Sequence, residues 1–332
     1  MLPQLKGKGI FVFSDPGGAK PVLSFIKLND SISGYYAVSD REYDFFEDFG
    51  IQVNKYTPGD EEQIIASYQP DFVFTSTSYT SKIELRFIEA AKKRNIPCYT
   101  FIDHYTRYKD RFVDGDKLIL PDYITVTDNI AVGIAHAENM LPPDHIMASG
   151  NYYHAFLKQW VPSVSRESFF AEHGLTPGSL LITYAPDPFS NVGGVPQYGF
   201  DETTVWEEIN NYLEQLSEKY NITVVIKLHP NQKRDHIMPA VQKSALKNIV
   251  VADAMHLNTL LYHSDIIIGM CSSILIEANV LKGGKKIIRC LFNSKVHDSL
   301  LALNIGTVAH NNSEFKNYLQ SAIHEVSAVN EQ

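Results

Sequence analysis

The chain has 332 residues, 44% of them hydrophobic and 20% charged, with a formal net charge of −9. This is ordinary globular composition, which argues against disordered and fibrous classes, and the absence of a dense basic tract argues against DNA or RNA as a partner. The length exceeds what one core usually serves, so two domains of roughly 150 residues each are expected, with a cleft between them.

Along the chain, short β-branched runs alternate with helical segments, the signature of βαβ units feeding a parallel sheet. The first series predicts strand Gly9–Ser14, helix Lys20–Leu28, strand Tyr35–Ser39, and helices Glu42–Phe49 and Glu61–Tyr68. It continues with strand Asp71–Thr75, helix Lys82–Arg94, strands Pro97–Asp103 and Tyr123–Thr127, helix Ile130–Glu138 and strand His145–Ala148. Gly150-Asn151 opens a punctuated stretch to Ser179, read as linker with lead-in helices Ala155–Trp160 and Ser168–His173. The second series predicts strand Leu180–Tyr184, helix Thr204–Tyr220, strand Thr223–Leu228, helix Asp235–Gln242 and strand Asn248–Val251. Helix Leu257–Tyr262, strand Asp265–Met270, helix Ser273–Leu281, strand Lys286–Arg289 and a C-terminal helix from Ser313 complete it. The expected fold is α/β, with two Rossmann-like domains whose parallel sheets face across a cleft. Residues 1–150 form the first domain and 151–332 the second, and the last helix is free to pack back on the first.

The apolar run near the start is too short for a signal segment or membrane span, as is Ile266–Met270, so a cytoplasmic protein with at most peripheral membrane attachment is expected. Cys98, Cys271 and Cys290 form an odd set without CxxC spacing and read as free thiols in a reducing compartment.

Several strand ends carry residues suited to chemistry. In Val225-Ile226-Lys227-Leu228-His229-Pro230, an apolar strand ends in His-Pro, which places the imidazole at the carboxyl edge of a parallel sheet, where open α/β folds bind ligands. Pro230 stiffens the backbone, His229 can donate to a phosphate oxygen, and Lys227 adds positive potential. In Ile266-Ile267-Ile268-Gly269-Met270-Cys271-Ser272-Ser273, a buried strand runs into a serine pair and a helix start, an anion site with two added hydroxyls. Glu277 is the single acid of the following apolar helix, and a ribose diol would satisfy it. His229 and the serines are expected at adjacent strand ends of one sheet. Tyr184-Ala185-Pro186-Asp187-Pro188 follows another strand, with prolines that fix a loop.

In the first domain, Ser14-Asp15-Pro16-Gly17-Gly18 links a strand to a helix, and Gly17 and Gly18 permit close approach of substrate to the backbone. It lacks the third glycine of a dinucleotide fingerprint, and no GxxxxGK[ST] occurs. Asp103 and His104 lie at a further strand end, so Asp15, Asp103 and His104 are the candidate bases. Strand alternation would point Asp103 and His104 to opposite faces. Asp114-Gly115-Asp116 reads as a turn, not a metal site, and no histidine spacing fits a metal.

Tyr184-Ala185-Pro186, Lys227-Leu228-His229-Pro230 and Ser264-Asp265 leading to Ser272-Ser273 and Glu277 together resemble the second domain of GT-B glycosyltransferases. More narrowly they resemble capsule and surface-polysaccharide enzymes, among them CDP-glycerol glycerophosphotransferases and polysialyltransferase-like proteins. The resemblance implies that His229, Ser272 and Ser273 grip the donor phosphates, that Glu277 receives the ribose and that His104 serves as base. Asp103-His104-Tyr105-Thr106 departs from the histidine-glycine pair of the glycerophosphotransferases. Gly150-Asn151 also resembles the interdomain crossing of UDP-sugar 2-epimerases. The expected activity is inverting, metal-independent transfer from a CMP-, CDP- or UDP-linked sugar to a hydroxyl of a glycan or lipid-linked acceptor, with no cofactor and with homodimerisation allowed. CDP-polyol phosphotransfer, UDP-sugar 2-epimerisation and a non-catalytic sugar-nucleotide-binding subunit are the alternatives.

Overall fold

A computed structural model describes residues 5–229, 232–252, 255–282, 285–292, 296, 298 and 300–330. The chain divides into two compact units, Met1–Phe156 and Leu157–Gln332.

The first unit is built from β1 (Gly7–Phe13), α1 (Pro16–Leu28), β2 (Ile32–Ser39), β3 (Val53–Lys55), α2 (Glu61–Tyr68), β4 (Phe72–Thr75), α3 (Ile83–Lys92) and β5 (Cys98–Ile102). The short strands β6 (Val113–Asp114) and β7 (Lys117–Leu118) follow, then β8 (Tyr123–Val126), α4 (Asn129–Ala137), β9 (Ile146–Ala148) and α5 (Tyr152–Leu157). Its sheet has the order β3-β2-β1-β4-β5-β8-β9, with every described pair parallel. Ile10 to Phe13 are all inaccessible, because both faces of a central parallel strand are covered. An aromatic cluster fills one face: Phe25 of α1 stacks on Phe74 of β4 at 4.5 Å, and Tyr152 of α5 lies 5.0 Å from Phe25 and 4.9 Å from Phe101. Asp114-Gly115-Asp116 is the turn of the antiparallel β6-β7 hairpin, with Gly115 at φ +59°.

The second unit comprises α6 (Arg166–Glu172), β10 (Leu180–Ala185), α7 (Gly194–Tyr198), α8 (Glu202–Leu216), β11 (Ile222–Ile226), α9 (Arg234–Gln242), β12 (Ile249–Val251), α10 (Leu257–His263) and β13 (Ile266–Gly269). It ends with α11 (Ser273–Val280), β14 (Lys286–Cys290), β15 (Thr307–Ala309) and α12 (Asn312–Asn330). Its sheet has the order β12-β11-β10-β13-β14-β15, again parallel. Phe315, Leu319, Ala322 and Ile323 of α12 join the core of this unit, beside β14 and β15.

Two Rossmann-like parallel units are therefore the architecture, as the alternating pattern implies. Local differences have identifiable causes. Glu42–Phe49 forms a 3-10 turn, Asp44–Phe49, which ends at Gly50 in the left-handed region. The strands β3 and β15 have three residues each, too few to show a period of two. Helix α8 begins at Glu202, ahead of Thr204, because the Asp201 carboxylate accepts from the Thr203 and Thr204 amides in a capping box.

One polar contact joins α6 to the sheet of the second unit. The Asp265 carboxylate accepts from Arg166 Nη2 at 2.5 Å and from the Leu181 amide at 2.8 Å, while the same guanidinium donates to the carbonyls of Ser179 and His263. Asp265→Ala would leave a mostly covered guanidinium without its counter-charge, so a loss of roughly 2–4 kcal/mol is expected. A urea midpoint equal to that of the wild type would show that this pair is not a structural tie.

Candidate functional site

In each sheet the strand order reverses once, between β1 and β4 and between β10 and β13. The carboxyl ends of strands at such a reversal leave a crevice, because the flanking loops leave in opposite directions.

In the second unit, β10 leads into buried Pro186 and then Asp187, whose carboxylate accepts from the Cys271 amide at 2.8 Å. Burial raises the Asp187 pKa, and the amides of Cys271 and Ser272 and the neighbouring His229 pull it back down. Ser272 caps α11 through its backbone alone. Among the described residues, neither the Ser272 nor the Ser273 hydroxyl has a hydrogen-bond partner, so both remain available to a ligand. On the other side of β10, the Lys227 amide donates to Tyr184 O at 2.8 Å, which keeps the β11 exit in register. His229 is half-buried, its amide donates to Gln232 Oε1 at 3.3 Å and its carbonyl accepts from the Gln232 amide at 2.9 Å. This clamp fixes the residue, and Pro230 lies outside the described residues. Glu277 stands half-buried one turn along α11.

His229 and the serine pair do not come from neighbouring strands, as the sequence suggested. They leave β11 and β13, which flank β10, and the residue between them is Asp187. Tyr184 belongs to the core: it is fully buried, its ring stacks on Trp206 and its hydroxyl donates to Glu202 O. With both faces of β10 covered, its side chain has no path to a ligand.

Sequence reading also missed Arg289. This guanidinium is fully buried at the end of β14, donates from Nε to Met270 O at 3.0 Å and pairs with Asp298. It braces the Met270-Cys271 turn from beneath, and burial pushes the Cys271 thiol up to about 11 despite the adjacent cation. The signal was an arginine closing the apolar run Ile287-Ile288. Asp201, Glu202 and His236 each bring one ligand atom within 4.8 Å of the others. Both carboxylates already have structural partners, the amides at the start of α8 for Asp201 and Ser190 for Glu202.

In the first unit, α1 starts at Pro16, directly after Asp15. The Asp15 carboxylate accepts from the Tyr79 amide at 3.1 Å, Thr80 Oγ1 at 2.9 Å and Arg41 Nη1 at 3.1 Å. These three donors make it a clamp between the β1 and β4 loops, and Asp103 and His104 are the other candidate bases. Strand β5 ends at Ile102, so both lie in the loop beyond it, and strand alternation does not separate them. The Asp103 carboxylate, 13% exposed, stands 3.7 Å from Nε2 of His104, 54% exposed. A Cβ on Gly17 would lie 2.5 Å from Asp103 Oδ2, and one on Gly18 2.5 Å from Ser76 Cβ. At Gly18 a side chain would collide with the base of Ser76 and hold the β4 loop off the first turn of α1, whereas at Gly17 it would displace the end of the Asp103 side chain.

Behind the same crevice, Ser76 and Ser78 donate to the buried Glu84 carboxylate at 3.1 and 2.5 Å, and burial raises its pKa from 4.5 to about 7. Between these two values the unfolded chain releases the proton first, so the fold loses stability as pH rises through the window and no further above it. Glu84→Gln keeps the hydroxyl partners and removes the titration. The decline in Tm from pH 4.5 to 7 should flatten, and the variant should melt several degrees higher near pH 8. Superimposable pH–Tm curves would refute this.

Residues 199–291 match the alpha-2,8-polysialyltransferase family model, and this segment contains His229, Ser272, Ser273 and Glu277. Among solved structures, the chain is similar to UDP-GlcNAc 2-epimerase from Methanocaldococcus jannaschii at 14% identity and TM-score 0.63, covering 94% of this chain and 92% of that one. It is equally similar to UDP-GlcNAc 2-epimerase from Neisseria meningitidis bound to UDP-GlcNAc, at 14% identity and TM-score 0.63 over 96% and 91% of the two chains. The wall teichoic acid polymerase TagF gives 14% identity and TM-score 0.53 over 99% and 85%. At such identities the likeness establishes the fold. No curated protein sequence matches the chain. The polysialyltransferase likeness is confined to part of the second unit, from Gly199 to Leu291, and the solved structures establish a fold of two Rossmann-like units.

Proposed function

We propose that this protein is a glycosyltransferase of the surface-polysaccharide type, which moves a sugar of the sialic-acid type from a CMP-, CDP- or UDP-linked donor to a hydroxyl of a surface-glycan or lipid-linked acceptor, with inversion and without a metal ion. The observation that carries the reading is the pair of uncommitted hydroxyls, Ser272 and Ser273, at the start of α11, with His229 and Asp187 beside them; the serines and His229 lie inside the matched segment and Asp187 just ahead of it.

In this reading the α11 amides, the two hydroxyls and the His229 imidazole stabilise the negative charge that develops on the departing nucleotide phosphate. Lys227 adds positive potential, Glu277 receives the ribose, and Pro186 holds the loop that carries Asp187. Asp187 positions both the Cys271 turn and His229. In the first unit, Asp103 or His104 takes the proton of the acceptor hydroxyl, which attacks the anomeric carbon from the face opposite the phosphate. Gly17 and Gly18 let the acceptor approach the backbone of α1. No described helix is long and apolar enough to cross a membrane, so a membrane-linked acceptor would be met peripherally.

Calorimetry with CMP, CDP and UDP and a donor-turnover assay test the assignment. His229→Ala should weaken the best nucleotide roughly tenfold and reduce turnover by about two orders of magnitude or more. Asp103→Asn or His104→Ala should leave nucleotide affinity intact while one of them lowers turnover by roughly 10²–10⁴. Unchanged affinity and rate in His229→Ala would discredit the site, and donor conversion that needs no acceptor would point to epimerase chemistry.

A further inference from the structure

The first unit holds a buried cation without a counter-charge. Arg111 lies in the 3-10 turn Lys109–Phe112 beyond β5 and is 3% exposed. Its guanidinium makes one hydrogen bond, from Nη1 to Thr77 Oγ1 at 3.1 Å, while Nε and Nη2 are buried without a partner. No acid pairs with it among the described residues. The ring of Tyr79, itself exposed, lies over it at 4.1 Å.

An arginine near a surface ordinarily extends its charged end into water. Here the backbone on both sides is fixed: the amides of Tyr108 and Lys109 donate to the Glu138 carboxylate at 3.1 and 2.6 Å, and Lys82 Nζ donates to Val113 O at 2.6 Å. Keeping a desolvated guanidinium with most donors unused is costly, and such a group calls for an explanation. Its location supplies one. Thr77 follows the end of β4, and its carbonyl lies 3.4 Å from the Cβ position of Gly18 in the first turn of α1. The guanidinium thus reaches the β1/β4 reversal, where doubly wound sheets bind ligands and where the start of a thirteen-residue helix adds positive potential. Asp15 does not neutralise it, being held by Arg41, Thr80 and the Tyr79 amide. Glu84 is likewise committed to Ser76 and Ser78.

We propose that Arg111, oriented by Thr77, is an oxyanion subsite of the first unit that takes a carboxylate or phosphate group of the acceptor, with the Tyr79 ring moving aside to admit it. The free Nε and Nη2 are adjacent on the guanidinium edge and match the two-point geometry of either group. The assignment rests on the reading of the first unit as the acceptor-bearing half.

Calorimetry on the full chain with N-acetylneuraminate, glycerol phosphate and uncharged glycerol tests it, and the first two separate a sugar carboxylate from a phosphate ester. One of the two anions should bind saturably and glycerol should not. Arg111→Gln should weaken that anion roughly tenfold or more, the weight of one charge-assisted pair, and Arg111→Lys should fall between, keeping charge but not the fork. Nucleotide affinity in the same variants should not change. Absence of saturable binding by either anion, or equal binding by Arg111→Gln and wild type, overturns the subsite. Should Arg111→Gln fail to fold, Tyr79→Trp with Arg111 intact reports through its emission, and a flat titration with both anions overturns it equally. Anion binding through Arg111 in a chain that binds no nucleotide would instead overturn the transferase reading and leave the subsite standing.

Discussion

The contact on which the second-unit site depends is the Asp187 carboxylate held on the Cys271 amide. At a strand-order reversal, the loops after the two central strands part from one another, and nothing in the backbone ladder joins them. Asp187 spans that gap from the end of β10 to the start of α11, and in doing so gives direction to Ser272 and keeps company with His229. The first unit meets the same problem in the same way. Asp15, after β1, reaches the Tyr79 amide and Thr80 hydroxyl beyond β4. In both places the aspartate precedes a proline, Asp15-Pro16 and Asp187-Pro188. A residue before proline is driven into extended backbone, as the φ of −71° and ψ of 147° at Asp15 show, and this turns its side chain outward from the strand end.

The two crevices then diverge in chemistry. In the second unit the donors are neutral amides and hydroxyls with a histidine beside them, suited to a phosphate whose charge grows as a bond breaks. In the first, a fixed arginine lies under an aromatic ring, while Asp103 and His104 stand at the neighbouring loop. Under the proposed function, the second unit would stabilise the departing phosphate and the first would hold the acceptor and the group that takes its proton.

Much of the fold was legible because strands covered on both faces are continuous apolar runs, as in Ile266-Ile267-Ile268, and a proline or glycine closes them. The same property located His229 and Ser272 at carboxyl ends. What it could not provide was lateral order: whether β10 lies between β11 and β13 depends on pairings between segments far apart in the chain, so the part played by Asp187 stayed hidden. Tyr184 misled for a related reason, since a strand end next to a site also borders the core. Arg111 was invisible, because its partner Thr77 is 34 positions away and the sequence around it reads as polar loop. Helix α8 began early because the capping strength of Asp201 outweighed the apolar period used to place its start.

The aromatic socket closed by Tyr152 bears on how the halves of the chain can be separated. Its ring is seated among Phe25, Phe74 and Phe101, and Phe156 lies against Phe49, so the short helix after Gly150 belongs to the first core. A polypeptide cut at the glycine would expose the rings of three separate elements to water, an adhesive face prone to self-association, whereas one carried through Phe156 would retain its own plug.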